Sequence, residues 1–404
     1  MEFRSVNRYL KKYTSRDYAG TAADVPVRLD CSLGVNSDLL GNVIFDRLHG
    51  FSQKSVLHEG SKKTVINEGN YAEIKYYPHD DSIIPSLVSW YKRHGVGKDW
   101  LTDDCFLLGN GSYGILEGIN LMCLTGGRTV LGHAPQFTAY VDHVFCTGSA
   151  YRAVPFEEKD NYRFCTDTYL KAMSDEIDLY IIENPNNPTG QSIPLAEIRR
   201  IARKALDLNC LLVVDEAYAE YLPYEDSALN LIHDFPNIIV TRSFSKGWGM
   251  AGLRLGYAAA SPETDILLQL KKILLPFQAN ALSRALAKAA LDSDLENPYD
   301  PFGVRQVFEH KHLLLSEIRR YNELFGRKLL AAETHPATPI MMLYVIDRGN
   351  DFCLFRHLLS KGLLTVNCES YVGLRKNAVR LMLPEEEHMN LLLEIIRESV
   401  RDLP

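Results

Sequence analysis

Short apolar runs alternate with longer stretches of helical periodicity along most of the chain. Runs at 105–108, 129–132, 150–154, 178–183, 211–214, 238–240 and 255–259 are brief and rich in Leu, Ile, Val and Ala, as strands buried on both faces are. Between them, 82–94, 115–124, the residues after Pro135, 195–208 and about 263–275 predict helices. Strands alternating with helices argue for a mostly parallel sheet covered on both sides. From about Asn280 the pattern changes. Helices at 281–292, 303–324, 352–361 and 386–400 surround strands at 339–345 and 378–383, a second and smaller α/β unit. Upstream, residues 1 to about 28 read as an arm with one short helix over 6–13, and LDCSLGVNS (29–37) as a strand entering a Gly/Asn turn. The expected organisation is a large domain over 38–279, with 1–37 and 280–404 forming an arm and a small domain.

Composition narrows the class without naming a reaction. The 404 residues, 46% hydrophobic and 24% charged, suit a globular protein with ample core. A net charge of −7 with no long basic block argues against nucleic acid or an anionic membrane as the main partner. The 8 cysteines are scattered singly, without CxxC or metal-ligand spacing, and read as buried thiols of a reducing compartment. The N-terminus has no apolar signal core, and no run is long enough to span a bilayer. A cytoplasmic enzyme without a metal is the expectation.

Four polar motifs follow strand ends, where open α/β sheets place ligands. GNGSYG (109–114) joins a strand to a helix, and its backbone N–H groups suit an anion, although an ordinary turn is built the same way. NPNNPTG (184–190) is overbuilt for a plain turn and presents Asn187 as an amide donor. In VVDEAYAEY (213–221), Asp215 ends an apolar strand and calls for a positive partner or caps a helix, with Tyr218 three residues on. TRSFSKGWGMAGLRLGY (241–257) packs Ser243, Ser245 and Lys246 together and follows them with Arg254 between Gly252 and Gly256. Lys246 alone has a bland alternative, a solvated surface lysine. The four together match a phosphorylated pyridine aldehyde: a cradle and Arg254 for phosphate, Asp215 for a ring N–H, Asn187 and Tyr218 for a phenolic oxygen, Lys246 for an imine.

NPNNPTG and SFSKGWGMAGLRLGY resemble those of the fold-type-I, class I/II aminotransferases, in the histidinol-phosphate aminotransferase-like branch, over about 29–400. The resemblance implies a three-layer, mostly parallel large domain with a smaller α/β domain. It implies pyridoxal 5'-phosphate, with Lys246 as the Schiff-base lysine and Asp215 as the pyridinium partner. Ser112, Tyr113, Ser243, Ser245 and Arg254 fall where the family binds phosphate, and Phe137 where an aromatic stacks on the ring. Tyr77 matches the tyrosine that a second subunit lends to the phosphate, which implies a homodimer. Arg380 matches the arginine that grips the substrate's acid group, and Gly34 stands where a backbone N–H can meet it. The implied reaction moves an amino group from an amino acid to a 2-oxo acid.

Some positions depart from the branch. Tyr113 replaces an acidic residue, Pro339 an asparagine, and 29–37 lacks the NENP wording. Asn367 stands where histidinol-phosphate enzymes carry a second arginine, which favours a carboxylate-bearing amino acid over histidinol phosphate. Decarboxylation, or elimination with cyclisation, on the same aldimine is the alternative reading. A regulatory protein with an aminotransferase body is a third, opposed by the absence of a basic helix-turn-helix in the first 28 or so residues. The aromatics Tyr9, Tyr13, Tyr18, Tyr76, Tyr140 and Trp248 read as pocket lining or as packing.

Overall fold

The structure, a computed structural model, describes residues 27–31, 78, 83–293, 303–346 and 352–404. The expected arm helix, Gly34, Tyr76 and Tyr77 lie outside the described residues. The strands are β1 (Leu29–Asp30), β2 (Phe106–Gly109), β3 (Thr129–Ala134), β4 (Ala150–Pro155), β5 (Leu179–Glu183), β6 (Leu212–Asp215), β7 (Ile238–Ser243) and β8 (Gly256–Ala260). They continue with β9 (Leu329–Ala331), β10 (Ile340–Val345), β11 (Leu363–Leu364), β12 (Val366–Asn367) and β13 (Ala378–Met382). The helices used below are α1 (Gly111–Cys123), α2 (Val304–Phe325) and α3 (Glu386–Arg401).

The chain divides into two compact units. The first holds 123–214 and 304–404, with the segment before Gly34. Here β3 pairs in parallel with both β4 and β5. All five β5 residues are buried, which explains its unbroken apolar run. A second sheet runs β12-β13-β10-β9, antiparallel throughout. Its outer face packs on α2 and α3 through Leu314, Ile318, Leu392 and Ile395, all nearly or wholly buried. Register pairs Met342 with Arg380 and Ile340 with Met382.

The second unit holds the described residues from 83 to 122 and from 215 to 303. In it β8 runs antiparallel to both β2 and β7, so those two share a direction. Every residue of β7 and β8 is buried. Strand β7 runs on through Thr241, Arg242 and Ser243, polar residues that the apolar run alone left out. The reason is Arg242, which is 2% exposed and bound to Glu216 through Nε at 2.9 Å and Nη2 at 2.7 Å. Tyr140 and Trp248 are buried, at 1% and 2% exposure; Trp248 packs against Trp90 and Phe244, and Tyr140 against Tyr151. Of the cysteines, Cys31, Cys105, Cys123 and Cys368 are buried as expected, whereas Cys165 precedes a short surface helix and is exposed.

Candidate active site

The second unit gathers eight of the predicted residues: Ser112, Tyr113, Asp215, Tyr218, Ser243, Ser245, Lys246 and Arg254. Gly111 opens α1 at φ +72°, a left-handed conformation that suits glycine. A Cβ there would stand 3.1 Å from Arg254 Nη2. Gly256 closes the same corner: a Cβ on it would meet the Arg242 carbonyl, Gly111 C and Ser112 N, each at 2.6 Å. The first residue of β8 therefore has to be glycine for the Gly111–Ser112 backbone and the Arg242 carbonyl both to approach it. Ser112 is buried in the first turn of α1, where N–H groups have no helical acceptor. Tyr113, half-buried, follows it. Ser245 N–H donates to Ser243 Oγ at 3.1 Å, and Arg254 Nη1 donates to Ser245 Oγ at 3.3 Å. Two buried serines, an exposed guanidinium and a helix N-terminus thus share one corner, a donor set fitted to a phosphate.

Alternation along β7 sorts the rest. Thr241 and Ser243 lie on one face and Arg242 on the other. Thr241 Oγ1 donates to Asp215 Oδ1 at 2.9 Å. Behind it, Glu216 accepts from Ser227 Oγ at 2.7 Å and from the Ala228 N–H at 2.6 Å as well as from Arg242. Burial pushes the Asp215 carboxyl up to about 6. The Thr241 hydroxyl and the Ala217 N–H oppose that rise, Glu216 adds to it, and Lys246 opposes it. A buried carboxylate with neutral donors fits a ligand that brings a cationic N–H. Lys246 is half-buried, and its Nζ stands 5.1 Å from the centre of the buried Tyr218 ring. These residues fit a phosphorylated pyridine: cradle, carboxylate, phenol and amine are within one unit.

The first unit brings together Asn187, Arg380 and the Phe137 turn. Asn187 Oδ1 accepts from Arg380 Nη1 at 3.0 Å and from Tyr371 OH at 3.2 Å, all three residues being buried. Glu183, unremarked in the sequence, organises this loop. It accepts from Gln136 Nε2 at 2.8 Å, the Phe137 N–H at 2.8 Å, Asn186 Nδ2 at 2.9 Å and the Asn187 N–H at 3.1 Å. His133 accepts from the Glu183 N–H at 3.0 Å through Nε2 and bonds the Pro135 carbonyl at 2.8 Å through Nδ1. That pattern needs the neutral imidazole, and burial holds its pKa down at about 4. The signal for Glu183 was available: a carboxylate closing an apolar run, the cue that drew attention to Asp215.

Fold and donor set together define a pyridoxal-phosphate enzyme of fold type I. A family model for aminotransferase class I and II matches residues 53–396. Histidinol-phosphate aminotransferase of Chlorobium phaeovibrioides is 33% identical over 288 residues, covering 69% of this chain and 72% of the relative. That of Chlorobaculum tepidum is 31% identical over 294 residues, covering 72% and 78%. Among solved structures, the Sinorhizobium meliloti histidinol-phosphate aminotransferase in complex with pyridoxal 5'-phosphate superposes with TM-score 0.72 at 21% identity, over 100% of this chain and 99% of that one. Thermus thermophilus aspartate aminotransferase with maleate gives TM-score 0.75 at 16% identity, over 98% and 100%, a likeness of fold. The chain belongs to the class I and II aminotransferases. It is a pyridoxal 5'-phosphate-dependent enzyme of amino-group transfer, and these relatives do not favour the decarboxylase or elimination alternative. Among the described residues no helix is long and apolar enough to cross a membrane.

Proposed function

We propose that the enzyme moves the amino group of a carboxylate-bearing amino acid to a 2-oxo acid, and that Arg380 beside Asn187 receives the substrate carboxylate. The observation that carries this is the Arg380–Asn187 hydrogen bond at 3.0 Å, which aims a guanidinium 1% exposed from β13 at the NPNNPTG loop. A planar fork held by a neighbour is pre-organised for a carboxylate.

Each remaining side chain has a part. Ser112, Ser243, Ser245, Arg254 and the Tyr113 backbone hold the phosphate, helped by Tyr77 of a second copy in a homodimer. Asp215 keeps the ring nitrogen protonated. Tyr218 and Asn187 donate to the ring oxygen, and Phe137 stacks on the ring. Bound there, the cofactor supplies the electron sink for breaking the Cα–H bond. Lys246 anchors the cofactor as its imine partner and then serves as the base that takes the Cα proton and returns it. Gly34 adds a backbone N–H for the carboxylate. The large domain of 38–279 and the small domain formed by 1–37 with 280–404 belong to the same reading, as does a cytoplasmic setting.

The relatives' names point to histidinol phosphate, but Asn367 favours a substrate without that phosphate. Its Oδ1 accepts from the Glu369 N–H at 3.1 Å, and its Nδ2 donates to Glu369 Oε2 at 3.4 Å. The position thus offers an amide tied to its own turn beside a carboxylate, where a phosphate needs a cation. A screen of amino acids for a shift of the cofactor's absorbance toward the near-ultraviolet tests the proposal. Efficient turnover of histidinol phosphate would overturn the substrate reading. Release of carbon dioxide or ammonia without the shift would overturn amino transfer.

A further inference from the structure

Lys311 sits within α2 and is only 1% exposed. Its Nζ faces four oxygens: Thr334 Oγ1 and the His335 carbonyl at 2.8 Å, Thr338 Oγ1 and the Ile340 carbonyl at 3.0 Å. Burial pulls its pKa well below the usual lysine range. The count of hydrogens pulls the other way. Two of the four oxygens are carbonyls, and the Thr338 hydroxyl spends its own proton on a carbonyl, that of Gly190 at 2.7 Å or that of His335 at 3.0 Å. Three acceptors therefore have no proton to offer Nζ. An ammonium supplies three N–H bonds and makes all three contacts, whereas a neutral amine supplies two and turns a lone pair toward the third oxygen, even though the His335 carbonyl also holds the Thr338 N–H at 3.3 Å. We take the charged form. Its desolvation is offset by carbonyl and hydroxyl dipoles, as a small monovalent cation is held.

The cage closes a circuit through the substrate grip. The Gly190 carbonyl accepts from Thr338 Oγ1 and from the His335 N–H at 2.9 Å. The Gly190 N–H donates to the Asn186 carbonyl at 2.8 Å, so the turn carrying Asn187 is tied down at its far end. Asn187 in turn holds Arg380. On the other side Ile340 opens β10, whose register with β13 fixes Met342 opposite Arg380. Lys311 therefore reaches both supports of one pair: the loop under Asn187 through Thr338 and His335, and the strand beside Arg380 directly at Ile340.

We propose that Lys311 is a positioning residue for amino transfer, its ammonium acting as a built-in monovalent cation that locks the 334–340 segment to Gly190 and thereby sets Asn187 against Arg380. The proposal rests on the reading of Arg380 as the carboxylate grip. It requires the charge as well as the packing, so a side chain of similar length without charge does not substitute.

The test uses the cofactor-loaded enzyme and three variants: Lys311→Met, Thr338→Val and Lys311→Ala. In Lys311→Met, amide exchange over 186–191 is expected to speed up about tenfold while that of β7 is unchanged, the cofactor's absorbance is kept, and KM for the amino acid rises about tenfold with little change in kcat. Thr338→Val, which keeps the lysine and breaks its tie to Gly190, shifts both readouts in the same direction. In Lys311→Ala, n-propylammonium carries the same four heavy atoms the substitution removes, and it is expected to restore slow exchange and low KM, whereas uncharged n-propanol does not. Unchanged exchange and KM in Lys311→Met overturn the proposal, as does the same result in Thr338→Val should Lys311→Met fail to fold. Equal rescue by the alcohol overturns the cation. If the wild type transfers no amino group from any amino acid, the functional reading fails instead, and the exchange readout still decides whether the clamp exists.

Discussion

Asp215→Asn separates two opposite effects of one carboxylate. Asp215 is 6% exposed and bound by Thr241 Oγ1 at 2.9 Å. In the cofactor-free protein its pKa is raised from 3.8 to about 6, chiefly by burial. Folding therefore favours the protonated acid. The stability this brings is full below the unfolded pKa and is lost as pH rises through about 6. A rise of roughly two units corresponds to about 3 kcal/mol. Asparagine has nearly the same shape, keeps an oxygen for Thr241 and never ionises. The cofactor-free variant should then be more stable than the wild type by about 3 kcal/mol near pH 8, and by about half that near pH 5.

With cofactor bound the sign reverses. A ring N–H cation at about 4 Å and an effective dielectric of about 20 returns roughly 4 kcal/mol, more than the burial cost. The amide cannot hold that proton, and amino transfer should fall by about a hundredfold or more. Urea unfolding of both proteins without cofactor at the two pH values measures the first effect, and single-turnover absorbance measures the second. If the cofactor-free variant is less stable than the wild type at both pH values by the same amount, the carboxylate is not strained by burial and the reasoning fails.

Three further substitutions probe the two units separately. Gly256→Ala forces a methyl to within 2.6 Å of Ser112 N and two other backbone atoms, so cofactor affinity, read by equilibrium dialysis, should drop about tenfold or more, with lower thermal stability. Arg380→Lys loses the planar fork that reaches Asn187, so KM for the amino acid in steady-state assays should rise about a hundredfold while cofactor absorbance stays the same. Glu183→Gln turns an acceptor of four hydrogen bonds into an amide whose nitrogen faces donors. It should cost about 2 kcal/mol in denaturant unfolding and blunt both cofactor and substrate binding, since Phe137 and Asn187 hang from it.

Strand ends were legible because alternation and apolar runs are local properties of the chain. The Lys246 stretch, Asp215 and the 109–114 turn were found that way, and the structure gathers Ser112, Ser243, Ser245 and Arg254, named by resemblance, at one corner. What escaped was set by partners far along the chain. Strand β7 continues through Arg242 because Glu216, 26 residues earlier, gives that charge a buried mate. Glu183 carries the same local cue as Asp215, a carboxylate closing an apolar run, but the turn it organises lies 46 residues upstream, at Phe137. The pairing of Asn187 with Arg380 spans 193 residues; motif resemblance supplied both names, but only the fold supplies the bond. Lys311 is the extreme case. In a charged amphipathic helix such as α2 a lysine reads as solvated, and its burial follows from four oxygens delivered by a segment 23 to 29 residues later. Sequence pattern thus identifies groups whose chemistry is carried by their own type and local setting. Residues that hold those groups in place are defined by where distant backbone arrives, and for them the hydrogen-bond count at the side chain is the informative quantity.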